Sequence, residues 1–446
     1  MNTHDTHEEI SIYDRMCWPE GELQAALAGG AHRRELIAYF GQAEYRLLAG
    51  LARQAGAPRP RRRAARVPHI YLLPGLLGSQ LGLRRAAGAV PDLLWLDPQD
   101  VAAGRLTRLR QRRGEPTLAP LGPIAHTYLA LQLRLQAHGL PVVVHDYDWR
   151  HDVAASARAL AARLDADPAE TLVLVGHSMG GLLARAVPPL CAPATRRRIA
   201  RLIGLGTPHG GSIGAVQALR ATYPVLLRLA ALDREHDAPT LTAAVFRSFT
   251  SLYQMLPADG AGMDLFDPAA WPPAAGTAHP QAPAARTALG PPDRRRLAAA
   301  QRFVRGLDAA AERCVSIVGI GQRTVTGLRS DGSQFVYEIS DAGDGTVAAA
   351  CATLPGAPSY SLVCEHSELP RSARVAAAVI ELALSGRTGR LRSGVHASAG
   401  RRLQVSDAML LAAFERKLDW RHMSAAARRR YLNRLNAPPP LYRPRR

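Results

Sequence analysis

Cysteine, lysine and long apolar runs are scarce or missing in this chain, and each gap excludes something. The five cysteines, Cys17, Cys191, Cys314, Cys351 and Cys364, are scattered and odd in number. With no CxxC pair among them, neither a disulfide framework nor a zinc site is expected. No run of about 18 or more apolar residues exists to span a bilayer. The opening MNTHDTHEEISIYDR is polar and lacks the apolar core of a secretory signal. The expectation is a cytoplasmic protein, with signal-independent export as the other route. Lys417 is the only lysine. In an Ala-rich background this looks like a GC-rich coding bias, which weakens any step from arginine to phosphate binding, although guanidinium–phosphate pairing stays physically available.

What is present is a chain of 446 residues, 47% hydrophobic, enough for one large domain with insertions or for two domains. The formal net charge is +19, and it sits at the flanks. Residues 53–66 hold six arginines and no acid, and residues 387–446 hold fifteen basic side chains against three acids. The rest of the chain is close to neutral. No DNA- or RNA-binding motif accompanies the charge, so a nucleic-acid partner is not expected.

Apolar residues recur at helical spacing through 20–55, with Gly29-Gly30 dividing two helices, and the Pro/Arg segment 57–66 reads as a linker. Residues 1–66 therefore form a helical N-terminal extension. From 67 to 385 strands and helices alternate. Strands are expected at 67–73, 142–145, 172–175, 201–205 and 314–320, then a hairpin over 324–339, a last strand near 360–364 and a closing helix over 371–385. Such an order predicts an α/β fold with a mostly parallel sheet flanked by helices. Two stretches break the rhythm. Residues of about 84–120 carry no regular period and are expected to form a lid at the site mouth. Residues of about 212–313 surround a Pro/Ala/Gly-rich section (257–293) and are expected to form an inserted helical cap. Residues 386–446 form a basic tail with two short helices, one starting at Ser406 or Asp407 and one after Ser424. Such a tail suits peripheral contact with an anionic membrane, or a docked helix pair with solvated arginines.

The chemistry centres on Gly176-His177-Ser178-Met179-Gly180, which follows an apolar strand and opens a helix. This is the Gly-x-Ser-x-Gly nucleophile elbow: small residues flank a serine held on a strained strand-to-helix turn. The helix N-terminus also favours developing negative charge. The alternative is a tight Gly-rich strand–helix turn with an idle serine. A serine hydroxyl needs a histidine base, and the imidazole needs a carboxylate to fix its tautomer. In the order serine, acid, histidine, the acid that fits is Asp344 between Gly343 and Gly345, with Asp341 as competitor and Asp264 and Asp267 less suited. The base that fits is His366, after the last strand; His396 and His422 lie in the tail. His177 is expected to point away from the reacting face, and His209 to be structural. Two backbone donors suit an oxyanion: the N–H of Met179, and that of Leu76 in the Pro74–Ser79 loop after the first strand. The Leu76 and Leu77 side chains then line an apolar acyl site.

Taken together, LLPGLLGSQL (72–81), LWLDP (94–98), YDWR (147–150), GHSMGG (176–181), LGTPHGGS (205–212), GDGTV (343–347) and the HSELP beginning at His366 occur in one order. The chain in this respect resembles the lecithin–cholesterol acyltransferase-like α/β-hydrolases, which include lysosomal phospholipase A2 and phospholipid:diacylglycerol acyltransferases. The resemblance covers residues 67–385. It implies an α/β-hydrolase fold, with Ser178 as nucleophile, Asp344 as acid, His366 as base and Leu76 and Met179 as oxyanion donors. The Trp95 region corresponds to the family's lid beside the scissile ester. Acyl transfer from a lipid ester through an acyl-enzyme is implied, with water or an alcohol as acceptor and no metal or cofactor. The chain departs from the family in three places. Its lid segment lacks the cysteines of the secreted members, its extension and tail have no recognised counterpart, and its cap matches only loosely. A membrane-surface binding protein with an inactive hydrolase body is the alternative from another class.

Overall fold

An apolar run without polar alternation suits a strand covered on both faces, and this sets the centre of the molecule. The computed structural model describes residues 17, 20–57, 67–85, 91–111, 118–258, 262–273, 289–307, 312–414 and 416–442. Nearly all of the linker expected at 57–66, parts of the segment expected as a lid and much of the Pro/Ala/Gly-rich section lie outside the described residues.

Three helices lead the described chain: α1 (Glu20–Gly29), α2 (Arg33–Phe40) and α3 (Gln42–Gly56). After β1 (His69–Leu73) come β2 (Ser79–Leu83), β3 (Asp92–Trp95) and β4 (Ala119–Pro123), which form an antiparallel sheet of their own in the order β3-β2-β4. The segment expected as a lid holds, where described, β3, a short helix (Pro98–Ala102), a 3-10 turn (Arg105–Leu109) and the start of β4. The main sheet continues through α4 (Ala125–Ala137), β5 (Val142–Val144), α5 (Val153–Ala166), β6 (Leu172–His177), α6 (Met179–Ala186) and β7 (Ile199–Leu205). The cap region includes α7 (Ile213–Leu219), α8 (Pro224–Leu232) and α9 (Arg294–Arg305). Next come β8 (Cys314–Ile320), β9 (Thr324–Ser330), β10 (Phe335–Ser340), β11 (Ser359–Val363) and α10 (Ala373–Ser385). The tail contributes β12 (Arg392–Ser393), β13 (Leu403–Ser406), α11 (Asp407–Ala412) and α12 (Ala425–Asn433).

The seven-stranded sheet has the order β12-β11-β8-β7-β6-β1-β5. Every pair in it is parallel except β11 with β12. All six residues of β6 are buried, and alternate side chains go to opposite faces. Leu172 and Leu174 join Tyr71 and Leu73 against Leu160 and Leu164 of α5. Val173 and Val175 join Ile70 and Leu72 against α4 and α10. Each fully buried leucine or valine contributes about 1.5–3 kcal/mol. The flanking helices start on side-chain caps, with Asp152 accepting from Ala154 and Ala155 N–H and Ser372 accepting from Val375 N–H. This is an α/β-hydrolase fold, a mostly parallel sheet flanked by helices.

The hairpin expected to rejoin the main sheet does not. β9 and β10 pair with β13 in a separate antiparallel sheet of order β13-β10-β9. The reason is the apolar face of β10, where Phe335 and Tyr337 are fully buried on the cap side rather than against α4 and α10. The tail adds more than the two helices expected of it. Leu410, Trp420, Leu435 and Tyr442 are buried in the same core as the cap. Arg228 of α8 donates to the carbonyls of Leu435 and Ala437, at 2.5 and 2.6 Å. At the other end of the chain, α1 to α3 pack through Leu27, Leu36 and Leu48 on Leu129 and Leu133 of α4.

Candidate active site

Parallel strands deliver their loops to one edge of the sheet, and the loops after β1, β6, β7 and β11 line one cavity here. β6 ends in Ser178 at φ 54 and ψ −125, a conformation that side chains with a Cβ rarely adopt. Its neighbours have to be small. A Cβ on Gly176 would strike the backbone of Gly180 and Gly181, and one on Gly180 would strike the carbonyls of Leu73 and Pro74. The serine N–H is held by Leu205 of β7 at 2.9 Å. α6 begins at Met179, directly behind the serine.

Asp344 lies in the turn after β10 and is 1% exposed. One carboxylate oxygen accepts from the backbone N–H groups of Thr346 and Val347, at 3.0 and 2.7 Å. The other accepts from Nδ1 of His366 at 2.7 Å. The backbone N–H of His366 also donates to the Asp344 carbonyl, at 2.8 Å. His366, buried in the turn after β11, is therefore held at ring and backbone by one residue. With Nδ1–H donating to Asp344, Nε2 is left as the basic nitrogen. His366 and Ser178 line the same cavity of about 320 Å³, together with Leu76, Leu77 and Trp95. Asp344 is not in the lining. Among the described residues, the N–H groups of Leu76 and Met179 have no hydrogen-bond acceptor.

The remaining candidates lie elsewhere. Asp341 pairs with Arg323 at 3.2 Å. Asp264 and Asp267 accept N–H groups of their own turns, from Phe266 and Ala269. His396 and His422 make local bonds to Ser393 and Asp419. His209 is half-buried, with Nδ1 facing Arg185 at 3.4 Å. Burial, with the charge of Arg185 adding to it, pushes its pKa down to about 3.

Two sets of supporting residues have roles that the sequence did not reveal. His177 is buried, with Nδ1 at 2.9 Å from the Tyr128 hydroxyl and Nε2 at 3.1 Å from the His366 carbonyl. Burial, and then the charge of His366, hold its pKa well below the usual range, so the ring is neutral. Nε2–H donates to the carbonyl, and Nδ1 accepts from Tyr128. The Tyr128 hydroxyl in turn accepts from the Gly75 N–H at 2.9 Å. One chain of bonds thus runs from the loop after β1 to the His366 loop. The second set is YDWR. Tyr147 donates its hydroxyl to the Pro74 carbonyl at 2.7 Å, and Trp149 donates its indole N–H to the Ser79 carbonyl at 2.9 Å. Trp95, expected in the lid, lines the cavity. It is buried, its indole N–H bonds the Leu77 carbonyl at 2.9 Å, and its ring meets Trp149 edge-on at 5.5 Å. All three aromatic residues brace the loop from Pro74 to Ser79. The Asp148–Arg150 pair beside them closes at 2.6 Å. Among the described residues no cluster of His, Cys, Asp and Glu is arranged to hold a metal ion.

The class these features define is an α/β-hydrolase fold carrying a serine elbow and a buried His–Asp pair. Comparison with known proteins adds a local likeness. Residues 159–225, the stretch from α5 through the elbow to α8, match the family described as PGAP1: PGAP1-like alpha/beta domain. No curated protein matches the chain. Among solved structures, the mature form of the Bacillus licheniformis lipase BlEst2 is similar at 16% identity. That match covers 70% of this chain and 89% of the lipase, with a TM-score of 0.34. Among the described residues no helix is long and apolar enough to cross a membrane.

Proposed function

We propose that the protein is a serine acyl hydrolase acting on lipid esters, with Ser178 as nucleophile, His366 as general base and Asp344 as the acid that orients it. The observation that carries this reading is the buried Asp344–His366 bond at 2.7 Å beside a serine at φ 54 in a shared cavity. In the first half-reaction Nε2 of His366 takes the Ser178 hydroxyl proton as Oγ attacks the ester carbonyl. The N–H groups of Met179 and Leu76 hold the resulting oxyanion; losing one such donor costs about 2.7–4 kcal/mol of transition-state stabilisation. His366 then gives its proton to the departing alkoxide, leaving an acyl-enzyme on Ser178. Water, deprotonated by the same nitrogen, releases the acid.

An acyl chain suits the cavity because Leu76, Leu77, Leu252 and Met255 line it with apolar side chains. The lecithin–cholesterol acyltransferase-like motif set, with YDWR bracing the loop after β1 and GDGTV holding the acid, supports a phospholipase-type substrate within the lipid esters. Hydrolysis ranks above transfer to an alcohol because water is the acceptor unless a site excludes it. The test is acyl release from short-chain esters and phospholipid vesicles by wild type and Ser178→Ala side by side. Turnover is expected to fall at least about 10³-fold in the variant. A variant that keeps its turnover, or folded wild type inert on every ester, overturns the reading. A dominant transesterified product in the presence of a sterol or diacylglycerol would replace hydrolase by acyltransferase.

A further inference from the structure

The cavity that holds Ser178 is not closed by the hydrolase body alone. Its wall includes Ala38 and Tyr39 of α2, and Trp420, Arg428, Arg429 and Leu432 from the tail. The two ends of the chain meet there, where Nη1 of Arg429 donates to the Ala38 carbonyl at 3.1 Å. Arg428 donates to the carbonyls of Trp420 and Arg421 at 3.0 and 2.9 Å, with its guanidinium over the Trp420 ring at 5.4 Å. These bonds orient both side chains without neutralising them, because every acceptor is an uncharged carbonyl. A guanidinium has five N–H donors, so donors are left over on each. Among the described residues neither arginine forms an ion pair, and no aspartate or glutamate lines the cavity. His126, on the same wall, is kept neutral: burial, then the charges of Arg371 and Arg429, lower its pKa to about 4. The cavity is therefore lined by apolar side chains, Leu76, Leu77, Leu252 and Met255 among them, and by two positive charges with no acid in the lining to offset them.

We propose that Arg428 and Arg429 form an anion subsite in the substrate cavity, so that the ester taken there carries a phosphate or carboxylate group as well as its acyl chain. The proposal rests on the ester-hydrolase reading and adds the charge of the substrate. Arginine suits the task because its planar fork matches the oxygens of either anion. On this view the basic tail belongs to the site and is more than a solvated flank.

The test compares wild type, the Arg428→Ala/Arg429→Ala double variant and Arg429→Lys, all as full-length chains with matched thermal unfolding. Titration calorimetry is run with decyl phosphate, decanol and inorganic phosphate below any aggregation limit. Wild type is expected to bind decyl phosphate roughly 10- to 100-fold more tightly than decanol, and the double variant to lose that advantage. Arg429→Lys should retain part of it. Equal binding of decyl phosphate and decanol by wild type, or an advantage that survives in the double variant, overturns the proposal. Inorganic phosphate binding as tightly as decyl phosphate assigns the arginines to a free anion and overturns the substrate reading. In parallel, the ratio of kcat/KM on phosphatidylglycerol to that on phosphatidylcholine is expected to fall by a similar factor in the double variant. Equal losses on both lipids make the arginines a structural wall and overturn the proposal. Because binding is read without turnover, failure of the hydrolase is separable. An inert wild type that still prefers decyl phosphate sinks the hydrolase reading alone, whereas turnover without charge preference sinks the anion subsite.

Discussion

His177 shows how much of a site rests on residues that do not react. Its position next to the serine in a buried strand suggests only that it turns away from the reacting face. Its two ring nitrogens in fact join Tyr128, 49 positions earlier, to His366, 189 positions later. No sequence spacing reports such a bridge, whereas Asp344 and His366 were legible as candidates because each lies in a short polar motif after a strand. Tyr128 is the residue on which the bridge can be tested. Its hydroxyl accepts from Gly75 N–H and donates to His177, and the ring is fully buried. Tyr128→Phe keeps the ring and leaves two buried polar groups unpaired, which is expected to cost about 1–3 kcal/mol in urea unfolding. As a positioning residue it should also affect kcat, roughly 10-fold, with KM little changed, because the loop bearing Leu76 and the loop bearing His366 both lose their tie. A loss of stability with kcat intact would make the bridge purely structural.

Elements were legible where their signal was local. β1, most of β6 and the end of β7 (202–205) are apolar runs leading into glycine-containing loops, and the helix after β7 carries its own cap, with Ser212 accepting from the Gly214 N–H. The hairpin of β9 and β10 was legible as a hairpin, but its third strand was not. β13 lies in the basic tail and pairs with Tyr337 through Val405, across 68 residues. What secures it is Asp407, at the start of α11. Its carboxylate accepts from the Tyr337 hydroxyl at 2.6 Å, from the Phe335 N–H at 3.1 Å and from Arg220 at 2.7 Å. Arg220 and Asp407 are both almost fully buried, at 3% and 2% side-chain exposure. A buried pair is not itself a large source of stability, but removing one partner strands the other. Asp407→Ala is therefore expected to destabilise the protein by about 3–5 kcal/mol, read as a drop in the urea midpoint. A change below about 1 kcal/mol would mean that the tail is docked by its apolar residues alone.

The molecule as a whole carries a large positive charge and keeps several histidines neutral within it. Burial is the main cause at each, and a positive neighbour adds to it. His145, with Arg163 nearby, and His126, with Arg371 and Arg429, are lowered to about 4, and His209, beside Arg185, to about 3. His177 lies well below its usual value. In the unfolded chain these rings take up protons near pH 6.5, whereas in the folded protein they resist until well below that. Across the window the unfolded state binds more protons, so stability falls as pH falls. The contribution is fully present above about pH 6.5 and is lost progressively toward pH 4. Each histidine that stays neutral adds a slope of about 1.4 kcal/mol per pH unit. The unfolding free energy in urea should then be level between about pH 7 and 8 and decline steeply between about 6 and 4. The decline should come before most carboxylates titrate, since ordinary carboxylates protonate near pH 4. A curve that stays level down to about pH 4.5 would mean that these rings accept protons in the folded state, and that the neutral His177 assigned to the bridge is charged instead.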